Sequence, residues 1–502
     1  MVDLVRDGTL VRAWVARWHT QPDRPVLHDA RDGWITGAQL DQRSRTVAAE
    51  LHRRGAGRGC RVLLSGVNDI DLVVVHVALM RLGAVVVPVN GAYREREVTH
   101  IVRDCRPVMA IVDRHWAPWI ASVDERCVVL SVGDVARTDR PLDPTIDIDT
   151  VGPDSPAMIG YTSGTTGAPK GAVLSHANLL ASVAALAIAW RWTSDDRLVL
   201  CLPMFHMHGL GVGLHGTLFV GASAVLLDGF DPDAVIDTAG EHDATLFFGV
   251  PTMYHRLVEC ERVGELARLR LCVAGSAPLP PSVHDAFRAA TGRTVLERYG
   301  MTETVMLVSN PYEGERRAGS VGFPLPEVEV RFARDASALV DLPTAAIDGL
   351  AGEIVVRGPN VFRGYWERPA SNVSAFTNGW FRTGDLATVA SDGYITIVGR
   401  AKELIISGGF NVYPREVEEV LASHPAVADV AVVGTPSGEW GEEVTAFIVV
   451  RSGHDAPDRE GLREFCHEQL ARYKLPRRVV IVDTLPRNAL GKVVKHELRC
   501  PP

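Results

Sequence analysis

An α/β fold is expected: a large N-terminal domain of layered, mostly parallel sheets covered by helices, then a small mobile α+β domain. Three observations predict it. Through the first 400 residues, short β-branched runs alternate with amphipathic segments. Near residue 400 the texture changes to a shorter α+β pattern, and 502 residues exceed what one ordinary core holds.

The candidate strands run 61–64, 85–89, 108–112, 197–202, 223–227, 244–248 and 269–274. Between two such runs, 37–54 reads as a helix. Thr36 and Gln39 have capping-box spacing, Leu40, Val47, Ala48 and Leu51 form one apolar stripe, and Gly55 stops it. Ligands in such folds sit in crevices beyond the C-terminal ends of the strands. Later, 393–399 ends a strand pair and the charged stretch 400–403 follows. Helices at 413–423 and 462–470 and strands at 430–434, 445–450 and 479–482 complete the chain. The expected domains are therefore 1–399 and 400–502, with a hinge at 400–402 (Arg400 to Lys402).

Composition narrows the function class. A hydrophobic fraction of 46% with 23% charged residues is ordinary for a soluble globular protein. The net charge of −9 argues against nucleic acid or anionic membrane as partner, so an anionic substrate needs local basic groups. Eight scattered cysteines without a Cys-x-x-Cys fit reduced thiols better than a disulfide frame or zinc site. The N-terminus lacks the apolar core of a signal peptide, and no apolar run approaches the ~20 residues of a membrane span. A cytoplasmic location is expected.

The strongest local signal is Tyr161-Thr-Ser-Gly-Thr-Thr-Gly-Ala-Pro-Lys-Gly171, set between apolar strands at 157–161 and 172–174. Thr162, Ser163, Gly164, Thr165, Thr166 and Gly167 let the backbone approach a ligand closely and present N–H and O–H donors, while Lys170 adds positive charge. That is polyphosphate chemistry. It is not a Walker A loop, because no glycine immediately precedes Lys170 and no Ser or Thr follows it.

This segment resembles the phosphate loop of the acyl-adenylate-forming family, which includes acyl-CoA synthetases, firefly luciferase and peptide-synthetase adenylation domains. The family's other motifs follow in order along essentially the whole chain. The resemblance implies that the enzyme activates a carboxylic acid with ATP and Mg²⁺ as an acyl-AMP and passes the acyl group to coenzyme A. Gly275-Ser-Ala-Pro-Leu-Pro280 resembles the segment on the adenine ring, which assigns Ser276, Ala277 and Pro278 to the nucleotide. In Arg298-Tyr-Gly-Met-Thr-Glu303, Tyr299 would lie against adenine, Thr302 would bond the α-phosphate and Glu303 would hold Mg²⁺. Glu297, Arg298, Gly300 and Met301 are further nucleotide contacts on this resemblance. Asp385 and Arg400 would bind the ribose, and Lys402 would be the pivot. Gly408 and Gly409 belong to the loop beside the pantetheine tunnel, and Lys474 would meet CoA phosphates, though a surface role fits it equally. Lys492 matches the adenylation lysine: it would neutralise the repulsion between the acid's carboxylate and the α-phosphate.

The acid-binding strings resemble the malonyl-CoA synthetases. His206 corresponds to the gating histidine, and His208 is a malonate-type feature. Arg256 sits in the first turn of a helix begun by Pro251 and Thr252, and its guanidinium suits a second carboxylate. The alternative for it is a surface pair with Glu259. Ser276 and the pair Arg316 and Arg317 are possible assistants. Met207 and Met306 would narrow the space near the α-carbon, favouring malonate, or make the pocket apolar enough for a small monocarboxylate. The favoured substrate is thus malonate or methylmalonate, with a short- or medium-chain monocarboxylate, or loading of a carrier protein instead of free CoA, as alternatives.

Overall fold

The computed structural model describes residues 8–138, 140, 146–162, 169–333, 339–342, 351–467, 469–487 and 492–498. Its α/β architecture matches the expectation. One nine-stranded sheet has a parallel centre in the spatial order Leu296–Tyr299, Leu271–Ala274, Leu246–Gly249, Arg197–Leu200, Ser223–Leu226, Pro25–Asp29, with antiparallel strands at both edges. A six-stranded sheet runs Val128–Leu130, Met109–Ile111, Arg61–Leu64, Val85–Pro88 and Pro156–Thr162 in parallel, then turns antiparallel at Lys170–Ser175.

Local chemistry explains these elements. Helix Gly37–Arg53 starts on the expected capping box: Gln39 N–H donates to Thr36 Oγ1 at 3.3 Å, and Thr36 N–H donates to Gln39 Oε1 at 2.8 Å. Helix Ile70–Arg81 is buried at every position. It links parallel strands Arg61–Leu64 and Val85–Pro88 and is nearly continuous in apolar residues, as a crossover buried on all sides requires.

By backbone contacts the chain divides into Met1–Glu329 with Val356–Phe381, and Val330–Val355 with Arg382–Pro502. Strands Glu329–Ala333, Leu339–Asp341 and Gly352–Arg357 share a sheet with Trp380–Val389 and Ile395–Arg400, which ties that stretch to the later chain. Arg400 is the last residue of that strand, and Ala401–Glu403 forms a short turn. The C-terminal core is built by helices Pro414–Ala422 and Arg459–His467 on the hairpin Val427–Ser437/Gly441–Val450, through Val417, Leu421, Val444 and Leu462. Those strands extend well beyond the expected 430–434 and 445–450. Among the described residues, no helix is long and apolar enough to cross a membrane.

Candidate active site

Strands Pro156–Thr162 and Lys170–Ser175 pair antiparallel with Thr162 opposite Lys170. Thr162 Oγ1 donates to the Lys170 carbonyl at 3.4 Å. Ser163, Gly164, Thr165, Thr166 and Gly167 lie outside the described residues. Thr302 packs so closely on Gly160 of strand Pro156–Thr162 that a Cβ there would stand 2.4 Å from Thr302 Cγ2. Glu303 is buried beside it.

A residue that sequence reasoning missed joins these groups. Tyr365 pairs with Ala172 in an antiparallel bridge, and the Trp366 N–H donates to the Gly171 carbonyl at 2.8 Å. The Tyr365 hydroxyl donates to Glu303 Oε1 at 2.9 Å, and Lys170 Nζ lies 5.4 Å from the Tyr365 ring centroid. The only sequence signal was an aromatic pair after Gly364. Among the described residues, no cluster of three or more His, Cys, Asp or Glu side chains could hold a metal ion. A single oriented carboxylate fits Mg²⁺, which takes its remaining ligands from phosphates and water.

Strand Leu296–Tyr299 leads into the Gly300–Glu303 turn, where Thr304 N–H donates to the Met301 carbonyl at 3.1 Å. The turn is tight: a Cβ on Gly300 would meet the Val305 carbonyl at 2.2 Å, and Val305, although β-branched, has φ of 57°. Ser276 is also left-handed, with φ of 72°, and it turns the chain past strand Leu271–Ala274 so that Ala277 and Pro278 are exposed. The Glu297 carboxylate is engaged inside the fold, where Oε1 accepts the Gly319 N–H at 2.7 Å.

Arg298 departs most from expectation. It is buried, and neither its Nε nor its Nη2 has a hydrogen-bond partner among the described residues. It lies against Gly275, where an added Cβ would stand 2.4 Å from Arg298 Cζ. Burial pulls its pKa down to about 9, still above neutrality, so the guanidinium remains charged. His208 is buried nearby, its ring stacked 6.4 Å from that of Phe248, and its Nε2 likewise has no partner among the described residues. Burial first, then the charge of Arg298, holds the His208 pKa well below the usual imidazole value; this histidine is neutral. Ser276 Oγ stands 3.5 Å from His208 Nδ1, and His206 Nδ1 accepts the His208 N–H at 3.2 Å. Met207 and Met306 are buried, and a Cβ on Gly211 would lie 3.2 Å from Met207 Sδ. Asn360 fixes the other wall, donating to the Met306 carbonyl at 2.7 Å. Residues 208–214 form a wide π-type turn, a geometry frequent at functional sites.

The structure does not bring Arg256 into this cluster. Helix Pro251–Val258 turns Tyr254 and Leu257 inward, which leaves Arg256 exposed with its guanidinium 5.0 Å from the Phe230 ring centroid. The surface pairing with Glu259 is made by His255 instead, at 3.4 Å. Arg316 spends its donors on the Pro311, Thr294 and Tyr312 carbonyls, and Arg317 Nη2 pairs with Glu315 at 3.3 Å.

In the C-terminal unit Asp385 and Arg400 are cross-strand partners, with Arg400 Nε 2.7 Å from Asp385 Oδ1, and Asp385 is buried. Lys402 is exposed. Gly408 and Gly409, with φ of 58° and 82°, make the turn between Ile405–Ser407 and Phe410–Val412. Lys474 Nζ is paired with both Glu416 oxygens, at 2.5 and 2.7 Å. Lys492 is exposed.

The comparisons with known proteins place the chain in a family. Residues 14–366 match the family described as AMP-binding enzyme, and 416–492 match the AMP-binding enzyme C-terminal domain. The mitochondrial malonate–CoA ligase ACSF3 of Mus musculus is 36% identical over 95% of this chain and 88% of its own length. A feruloyl-CoA synthase of Amycolatopsis sp is 35% identical, covering 93% of each chain. The crystal structure of ATP-bound MatB from Rhodopseudomonas palustris superposes with a TM-score of 0.89 at 38% identity, over 97% of this chain and 98% of that one.

Proposed function

Since the chain belongs to the AMP-binding enzyme family and is an AMP-forming CoA ligase that works with ATP, Mg²⁺ and coenzyme A, we propose that its acid substrate is malonate. One observation carries this reading: the charged guanidinium of Arg298 is buried beside a neutral histidine and a serine, and its Nε and Nη2 have no hydrogen-bond partner among the described residues. An uncompensated buried charge costs several kcal/mol, so the site is built for an anion that enters with the substrate. A short dicarboxylate supplies it. One carboxylate accepts from Arg298 Nε and Nη2, with His208 Nε2 as a further donor when Nδ1 accepts from Ser276. The other carboxylate remains free to react. Methylmalonate is admitted to the extent that Met207 and Met306 leave room at the α-carbon.

In the first half-reaction the free carboxylate attacks the α-phosphorus of ATP and pyrophosphate leaves. Lys170 and Thr302 bind the phosphates, and Tyr365 holds the Glu303 carboxylate in place. Glu303 would hold Mg²⁺, which when bound would supply neutralisation of the phosphate charge. Lys492 lowers the repulsion between the two anions, an effect of ~1 kcal/mol in water and about 4 in a partly closed site. Rotation about Arg400–Lys402 carries Lys492 in for this step, while Asp385 and Arg400 hold the ribose. In the second half-reaction the CoA thiolate, guided past Gly408 and Gly409, attacks the acyl carbon and AMP leaves.

Pyrophosphate release measured across malonate, methylmalonate, succinate, butyrate, octanoate and 4-coumarate, with and without CoA, tests the reading. Malonate is expected to lead by at least tenfold in kcat/KM. A lead for octanoate or 4-coumarate would overturn it.

A further inference from the structure

Lys495, three residues after the proposed adenylation lysine, is largely buried and lies between two carboxylates, 2.7 Å from Glu418 Oε1 and 3.3 Å from Glu403 Oε2. Burial alone would lower its pKa, but Glu418 and Glu403 outweigh burial and raise it, so it is a fixed positive charge. Glu418 lies on helix Pro414–Ala422 and also accepts the Val432 N–H at 2.8 Å, which ties it to strand Val427–Ser437. Glu403 closes the turn Ala401–Glu403, directly after the proposed pivot residues.

The other leg of the same segment is fastened to the same body. Arg487 forms an ion pair with Asp429 of strand Val427–Ser437, Arg487 and Val493 form an antiparallel bridge, and Val494 N–H donates to the Pro486 carbonyl at 2.8 Å. Lys492 thus stands between two anchored legs, although its own side chain is long, exposed and rich in rotamers.

We infer that Lys495 is a positioning residue for Lys492: its ion pairs with Glu403 and Glu418 lock the lysine-bearing segment to the turn that follows the pivot, so the segment travels with that turn as one body. The inference rests on the adenylation role proposed above for Lys492. The physical reason is orientation. A charge that must sit between two reacting anions loses most of its effect if the segment carrying it is loose, because misplacement by ~1 Å is enough to cost about 100-fold. The thiol-transfer half needs no charge at that point and should not feel the loss.

The test uses the full chain and separates the two half-reactions. Acid-dependent exchange of pyrophosphate into ATP reads adenylation, and thioester formation from synthetic acyl-adenylate and CoA reads the second half, both with the acid that leads the substrate panel. Lys495→Met is expected to lower the exchange kcat at least tenfold. The KM values for ATP and acid, and the second half-reaction, should stay within twofold. Lys495→Arg should restore most of the exchange, since it keeps the charge and both carboxylate contacts. Unchanged exchange in Lys495→Met, or an equal fall of both half-reactions together with Tm, would overturn the inference. Should Lys495→Met fail to fold, Glu403→Gln reads the same contrast with a smaller perturbation. Lys492→Ala run in parallel distinguishes the two levels. If it exchanges at the full rate, the adenylation role itself is wrong; if it loses exchange while Lys495→Met does not, only the positioning role falls.

Discussion

Glu303 and Tyr365 meet at the proposed magnesium site, and only one of them was readable from the sequence. Glu303 was legible because the motif around it fixes one carboxylate among hydroxyls and glycines. Its partner Tyr365 was not, because the two are 62 residues apart and meet through tertiary contacts, the Tyr365–Ala172 bridge and the Phe362 N–H donating to the Glu303 carbonyl at 2.9 Å. Removing that hydroxyl unties a buried carboxylate, which is worth about 1.5–3 kcal/mol for a charged hydrogen bond. Tyr365→Phe should therefore raise the Mg²⁺ concentration needed for half-maximal activity at least fivefold and leave the acid KM unchanged. A titration of activity against Mg²⁺ checks it, and an unshifted curve would remove Tyr365 from the site. Arg298 holds the opposite lesson. Its motif points to a nucleotide contact, and a helix start beyond a strand end points to Arg256 as the carboxylate binder. The better signal was strand alternation. If Tyr299 faces the adenine, Arg298 must face the other side of strand Leu296–Tyr299, toward His208 and Ser276.

At the scale of elements, the parallel strands were readable because each is a short β-branched run buried on both faces, as in Val85–Pro88. Strand lengths in the C-terminal hairpin were not, since charged residues such as Asp429, Glu442 and Glu443 interrupt the apolar pattern while the backbone pairing continues through them. Nor did the sequence reveal how helices Ile70–Arg81 and His215–Val220 meet: His76 Nε2 and His215 Nε2 stand 2.9 Å apart in a buried, stacked pair under Trp14. His176 lies close enough to affect His215, and Arg12 faces His176. Burial lowers the pKa of His76 to about 3 and of His176 to about 4, and burial with the neighbouring His76 and His176 lowers His215 well below the ordinary value. These groups are neutral in the fold and protonate more readily when unfolded. Their stability is therefore complete above about pH 6.5 and is lost as pH falls below it. At pH 5.5 each costs about 1.4 kcal/mol, roughly 4 for the three. Urea denaturation at pH 7.5 and 5.5 should show that loss, and equal midpoints would contradict the buried neutral pair.

At the scale of the molecule, a chain of net charge −9 handles substrates that are all anions, so cations must be concentrated where anions react. In the proposed mechanism Lys170, Arg298 and Lys492 meet that need at phosphate, acid and the charge gap between them. The order of motifs along the chain made the reaction class legible, because one mechanism demands all of them. The acid was less legible, because the specificity proposed for it turns on the burial of Arg298, which only the fold decides. The relatives reflect this division, since malonate–CoA ligase and feruloyl-CoA synthase match the chain almost equally well.

The most direct measurement is therefore the ratio of kcat/KM for malonate over butyrate in the wild-type chain and in Arg298→Met, with Arg256→Ala alongside. Methionine keeps much of the volume and removes the charge, so losing a buried charge-assisted pair of about 3 kcal/mol should lower the ratio about 100-fold. ATP affinity should hold and folding stability should not fall, because an unpaired buried charge is gone. Arg256→Ala should leave the ratio near the wild-type value. If Arg298→Met still prefers malonate as strongly as the parent, the buried guanidinium is not what reads the second carboxylate.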